Sequence, residues 1–158
     1  MSLRVSTRAS ATTESNPEHV FDIATNSDRF PEFFRGFGPI PAVTRVTWLT
    51  QPPATGGRRA VETADGETIE EDVVALERPH THRYRIPGGF PAPFSWLVRS
   101  AEGHWSFLAH GQTTTLHWDY SFELTHPLSW LITAPLVKIC FRLAMQRCLN
   151  AMVKAAKA

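Results

Sequence analysis

The stretch TTTLHWDYSFEL, residues 113–124, alternates without a break: Leu116, Trp118, Tyr120, Phe122 and Leu124 fall on one face, and His117, Asp119, Ser121 and Glu123 on the other. Successive side chains of a strand point to opposite sides of a sheet, so this segment reads as a strand with one dry face and one wet face. Other period-two runs fill the chain before it: AVTRVTWLT, then RRAVETA and ETIEEDVVAL, then HRYRI and LVRSAEGHWSFLA. QPPATGG separates the first two as a turn, Asp65-Gly66 marks a hairpin between the next two, and the last run joins TTTLHWDYSFEL near Gly111. At the N-terminus Val5, Thr7, Ala9 and Ala11 alternate in the same way. The pattern predicts a single antiparallel sheet of about seven strands, which must cover one of its faces.

The available cover is the C-terminal segment. Pro127 suits a first helical turn, and Pro135 should kink or restart the helix. Beyond it, Val137, Cys140, Phe141, Ala144, Met145, Cys148 and Met152 form one stripe, while Lys138, Arg142, Gln146, Asn150 and Lys154 form another. A helix over 136–157 reaches roughly 30 Å but is only about 10 Å across. A twisted sheet of this size curls, and one rod cannot fill its concave side. Large side chains, water or a ligand must occupy the rest.

Two short helices follow the first strand. Asn16 is placed as an N-cap before Pro17 and Glu18, and Val20, Phe21, Ile23 and Ala24 give the apolar stripe. Ser27 or Asp28 should start a second turn, in which Phe30, Phe33, Phe34 and Phe37 are spaced to share one side. A further aromatic segment, PGGFPAPFSW (87–96), is barred from regular structure by its prolines and glycines and reads as a loop. Its rings, Phe90, Phe94 and Trp96, either fold over the protein's own core or border a space that something else fills.

At 158 residues the chain suits one domain, 1–158, able to bury a core without staples. A net charge of +1, with no clustered basic face, gives no general attraction to nucleic acid. Arg58-Arg59, Arg83, Arg85 and Arg99 are read as solvated strand surface, and His104 and His117 as residues of wetted faces. Cys140 and Cys148 lie too far apart along one helix to bridge, and MSLRVSTRAS lacks the apolar stretch of a secretory signal, so the expected compartment is the cytoplasm. LSWLITAPLVKICFRLAM (128–145) carries Pro135, Lys138 and Arg142, which argues against stable membrane insertion. His80 and His82 alternate and could point the same way, but two histidines do not make a zinc site, so no metal is expected. No nucleophile elbow, phosphate-cradling loop or dinucleotide fingerprint is present, and no cofactor is expected.

NPEHVFDIATNSDRFPEFF, DGETIEEDVVALERP, TTTLHWDYSFEL and the closing helix together resemble the START/polyketide-cyclase/Bet v 1-like (SRPBCC) superfamily, over nearly the whole chain. The resemblance implies an α+β helix-grip fold: a curved antiparallel sheet around a long C-terminal helix, with a deep apolar cavity between them. It also implies that Phe33, Phe34, Phe37, Phe90, Phe94 and Trp96 surround the cavity mouth; the alternative is that these rings only plug the end of the core.

Tyr84, Tyr120, Trp105 and Trp118 are the candidates for a ring-lined pocket with polar handles, although they could equally bond to one another or to backbone. Phe107, and Phe141 and Met145 from the helix, complete the expected lining. Glu71 should share the face of Ile69 and Val73, where an inward carboxylate could act as an acid or base; a reversed register would leave it solvated. The first functional expectation is binding of a hydrophobic or amphipathic small molecule, such as a lipid, a polyketide-like aromatic or an isoprenoid. The alternative is a cyclase/aromatase or dehydratase using Glu71 or Tyr84 for proton transfer, and a third is a protein-interaction module docking through the aromatic loops. A homodimer is left open.

Overall fold

The computed structural model describes residues 3–157. Strand β1 (Arg4–Thr13) is followed by helices α1 (Pro17–Ala24) and α2 (Phe30–Phe33). Six strands then follow: β2 (Val43–Trp48), β3 (Arg58–Thr63), β4 (Thr68–Glu77), β5 (Thr81–Ile86), β6 (Val98–His110) and β7 (Thr113–Leu124). A 3-10 turn, Phe94–Trp96, sits between β5 and β6. The C-terminal helix opens with a 3-10 turn (Pro127–Ser129) and continues through α3 (Trp130–Pro135), a π-helical segment (Leu136–Phe141) and α4 (Arg142–Ala156).

All strands pair antiparallel in one seven-stranded sheet of order β1-β7-β6-β5-β4-β3-β2, so the first strand adds beside the last. Register shifts at Val43/Arg45, Val73/Ala75 and Val98/Ser100 mark bulges that bend and twist their strands. The sheet is thus curved around the C-terminal helix in the helix-grip arrangement.

Local sequence explains the helix starts. The Asn16 side chain accepts from the His19 amide at 2.8 Å, capping α1, with Pro17 in its first turn. The second turn is opened by Asn26 rather than Ser27 or Asp28: its side chain accepts from the amides of Asp28 at 3.0 Å and Arg29 at 3.2 Å. Pro135 neither breaks nor restarts the final helix. Lacking an N–H, it cannot complete the usual ladder, and the chain continues in the wider π spacing of Leu136–Phe141. Leu149, fully buried, joins the predicted stripe of α4, whereas Cys140 and Phe141 are only partly buried.

Gly103 sets the spacing of the concave face. In register it stands between Tyr84 on β5 and Tyr120 on β7. A Cβ there would overlap the Tyr84 ring, so the absent side chain lets the two phenols come edge to face with centroids 5.9 Å apart. Gly103→Ala should therefore lower stability by about 1–3 kcal/mol, the usual range for overpacking. The urea midpoint reads this directly, and an unchanged midpoint would show that the ring has room to move.

Candidate functional site

Between the concave face of the sheet and the C-terminal helix lies a cavity of about 500 Å³. Strands β2 to β7 supply Val46, Val61, Ile69 and a band of aromatic side chains; the described residues of β1 supply none. Phe30 enters from α2 and Phe34 from just after it, Phe90, Phe94 and Leu97 from the β5–β6 segment, and Val137 and Phe141 from the π-helical segment. Phe141 meets Tyr120 at 4.8 Å and Phe122 at 5.3 Å between centroids, both edge to face. Trp105 and Trp118, paired across β6 and β7, stack at 4.2 Å.

Among the residues singled out from sequence, Phe34, Phe90, Phe94 and Phe141 line this cavity together with Glu71, Tyr84, Trp105, Trp118 and Tyr120. Phe33, Phe37, Trp96, Phe107 and Met145 lie outside its wall. Phe33 is the last residue of α2 and Phe34 follows it in a non-helical conformation; with Phe34 turned inward, Phe33 packs elsewhere, under the Arg29 guanidinium at 5.2 Å. Phe37 is covered by Arg147 at 4.8 Å. The 3-10 turn places Phe94 and Leu97 inward and leaves Trp96 72% exposed. Phe107 is closed into the core against Phe21 at 5.1 Å, and Met145 is fully enclosed.

Two corrections concern charge. Arg59 is not solvated surface: its side chain is 12% exposed and forms an ion pair with Glu71, 8% exposed, directly opposite on β4. Its guanidinium lies 5.4 Å from the Tyr84 ring centroid and 5.8 Å from that of Trp48. Glu71 is therefore inward as its alternation with Ile69 and Val73 predicts, but it is one half of a buried pair rather than a lone carboxylate. His80 and His82 do not share a face either. His80 sits exposed in the β4–β5 turn, while His82 is on β5, 3% exposed and on the cavity wall.

The hairpin explains why Arg59 escapes sequence reading. A two-residue Asp65-Gly66 loop would set Arg59 opposite Asp72. Instead the Thr63 amide donates to the Glu67 carbonyl at 3.0 Å, and Ala64, Asp65 and Gly66 form a three-residue loop with Gly66 at φ +87°. The one-residue difference pairs Arg59 with Glu71. The usable signal was the alternation Arg59, Val61 on β3, which shares the buried face.

Arg59, Glu71, His82, Tyr84 and Tyr120 make a buried polar cluster on the sheet wall of a mostly apolar chamber, whose lining also includes Thr25, Asn26, Ser27, Thr63 and the exposed carboxylates Asp65 and Glu67. Trp118 Nε1 donates to Tyr84 Oη at 3.3 Å. Burial pushes the Tyr84 phenol upward, with the Glu71 charge adding, and burial likewise pushes Tyr120 well up. Burial, then the Arg59 charge, holds the His82 imidazole well below its usual range. The Ala75 carbonyl opposes that shift but does not meet hydrogen-bond geometry, so both ring nitrogens are without a partner. At neutral pH the phenols and the imidazole are uncharged, and Arg59 and Glu71 cancel.

A native His82 that resists protonation makes stability depend on pH. Unfolded histidine titrates near about pH 6.5, so below that value the unfolded chain takes up a proton that the native state refuses. Stability should fall by about 1 kcal/mol between about pH 7 and about pH 5.5. His82→Phe should remove most of that slope, the remainder coming from His104, which burial and Arg83 also hold low. Urea unfolding across this interval checks it, and a flat wild-type profile would contradict it.

The family model described as polyketide cyclase / dehydrase and lipid transport matches residues 4–157. No curated protein sequence matches the chain. Among solved structures, the chain is similar to the di-domain ARO/CYC StfQ from the steffimycin biosynthetic pathway, with TM-score 0.76 and 16% identity over 98% of this chain and 52% of that one. It is similar to norcoclaurine synthase from Thalictrum flavum in complex with dopamine and hydroxybenzaldehyde, with TM-score 0.70 and 10% identity over 99% and 90% of the two chains. TTHA0849 from Thermus thermophilus aligns with TM-score 0.69 and 19% identity over 96% and 97%. At these identities the likeness speaks for the fold alone.

Proposed function

The chain belongs to the polyketide cyclase / dehydrase and lipid transport family, and from that premise we propose that it encloses one hydrophobic or amphipathic small molecule between sheet and helix. The observation that carries this reading is the aromatic-walled cavity of about 500 Å³ with a buried polar cluster on its sheet wall. Ligand sites are concave, mostly apolar and furnished with a few placed polar groups, within a volume range of about 300–1,000 Å³. That a structure of similar fold holds dopamine and hydroxybenzaldehyde supports a small aromatic occupant. Fold similarity does not decide chemistry, so the lining carries the argument.

The alternative, cyclase/aromatase or dehydratase chemistry, asks Glu71 or Tyr84 to move a proton. Glu71 is engaged by Arg59, and burial makes Tyr84 hold its proton more firmly than a free phenol. Binding therefore ranks ahead of turnover.

Organic extraction of the purified protein, followed by mass spectrometry, should return a molecule absent from controls. The neutral fluorophore N-phenyl-1-naphthylamine should brighten on binding the emptied protein. Val61→Phe, which projects a ring into the cavity, should weaken that binding about tenfold, equivalent to about 1.4 kcal/mol. Nothing recovered together with no brightening in the wild type would contradict the proposal.

A further inference from the structure

Resting on the binding reading above, we propose that the occupant is uncharged and that His82 holds its one hydrogen-bonding group, a hydroxyl or ketone on an aromatic or isoprenoid-like frame. A neutral imidazole carries one donor and one acceptor. In His82 both nitrogens are buried and unpartnered, and a buried polar group left unsatisfied is destabilising. The ring forms part of the cavity wall beside Tyr84, at 5.3 Å between centroids. The χ2 torsion of an imidazole is broad, so the ring can reorient toward a ligand oxygen in the cavity.

Charge at the buried cluster decides the ligand class. Arg59 and Glu71 are each other's partner, and the neighbouring phenols are neutral. No unpaired charge remains at this buried cluster to receive a carboxylate, a phosphate or an ammonium, and the other carboxylates of the lining, Asp65 and Glu67, are exposed rather than buried with it. Fatty acids and phosphorylated isoprenoids are therefore disfavoured relative to neutral phenols and ketones.

NMR titration with naphthalene, 2-naphthol and 2-naphthoate separates these classes on one frame. Wild type should prefer 2-naphthol over naphthalene by about tenfold, one hydrogen bond's worth, and should bind 2-naphthoate least. His82→Phe should erase the preference, so that naphthalene and 2-naphthol bind alike, and His82→Gln, with a donor and an acceptor, should retain part of it. In the wild type itself, the His82 imidazole 15N resonances should move with 2-naphthol and not with naphthalene. Tightest binding of 2-naphthoate, equal binding of naphthalene and 2-naphthol, or a preference that survives His82→Phe overturns this proposal alone. No binding by any of the three overturns the binding reading and this proposal with it.

On independent grounds, we infer that the outer face of the C-terminal helix docks on an anionic lipid bilayer. Leu128, Trp130, Leu131, Ile132 and Ile139 are exposed along its first turns. The segment that carries exposed Trp96 reaches the start of the helix, where the Trp96 carbonyl accepts from the Thr125 hydroxyl. Apolar surface of this extent marks an interaction site. The partner follows from charge: residues 126–158 contain no Asp or Glu but five basic residues, Lys138, Arg142, Arg147, Lys154 and Lys157. Exposed Lys138 and Arg142 flank Ile139 and Leu143. Indole rings, aliphatic side chains and basic groups on one face suit the headgroup boundary of an anionic membrane. Pro127–Ala156 is long and apolar enough to cross a bilayer, but its inner side, Ala134, Val137, Ala144 and Met145, is buried within the protein, so it lies on the surface. The same two segments wall the cavity through Phe94, Leu97, Val137 and Phe141.

Flotation should carry the protein with phosphatidylcholine/phosphatidylglycerol vesicles and leave it behind with pure phosphatidylcholine. Salt should weaken the binding, and Trp emission should shift to the blue. Trp96→Ser combined with Leu131→Ser and Ile132→Ser should abolish flotation without changing naphthalene binding. Absence of flotation with anionic vesicles, or a dimer in sedimentation that the same substitutions dissolve, overturns the inference.

Discussion

The C-terminal helix packs most closely on β1 and against α1, and α2 meets the sheet at β2, which leaves a gap over the concave face between them. A rod about 10 Å across cannot cover a curved sheet of seven strands. The remaining span is bridged only at its margins, by Phe34 from just after α2, by Phe90 and Phe94 from the β5–β6 segment, and by Phe141 from the π-helical segment. Phe141 acts as a prop: its contacts with Tyr120, Phe122 and Phe34 hold the helix at a fixed distance from the sheet. The chamber is thus a consequence of architecture, and its lining is a consequence of which strand residues alternate inward.

The buried charges sharpen that picture. A guanidinium and a carboxylate enclosed together are costly to desolvate, and removing one partner from such a pair typically destabilises by about 3–5 kcal/mol because the other is stranded. Arg59 and Glu71 meet that requirement by standing directly opposite on β3 and β4, with Arg59 further placed against the Trp48 and Tyr84 rings. Around them Tyr84, Tyr120 and His82 contribute hydrogen-bonding atoms without net charge. A mostly apolar chamber with a neutral buried polar cluster orients an amphipathic molecule more than it attracts one, since affinity comes from apolar burial and direction from the cluster.

Much of the fold is visible in the sequence because it rests on periodicity. The alternation of residues 116–124 survives as alternating burial along β7, and the Asn16-Pro17 signal starts α1. The site was legible where alternation sufficed, as for Tyr84, Trp118, Tyr120 and the inward direction of Glu71. It was illegible where a one-residue choice mattered. Whether the Asp65-Gly66 hairpin has two or three loop residues decides which acid meets Arg59, and dipeptide chemistry does not settle it. His82 was hidden by its residue type, since the buried face it shares with Tyr84 and Ile86 was plain from spacing. Trp96 shows the converse error: an aromatic residue in a proline-rich loop carries no period to say which way it points, and the 3-10 turn turns it outward.

The central claim is that a vacant apolar chamber persists between sheet and helix, and xenon is the most direct probe of it, because it occupies apolar cavities without needing a polar contact. A crystal of the ligand-free protein under xenon pressure should show at least one xenon atom bordered by Phe34, Trp105 and Phe141. Absence of xenon, with those rings turned inward to fill the space, would contradict the account.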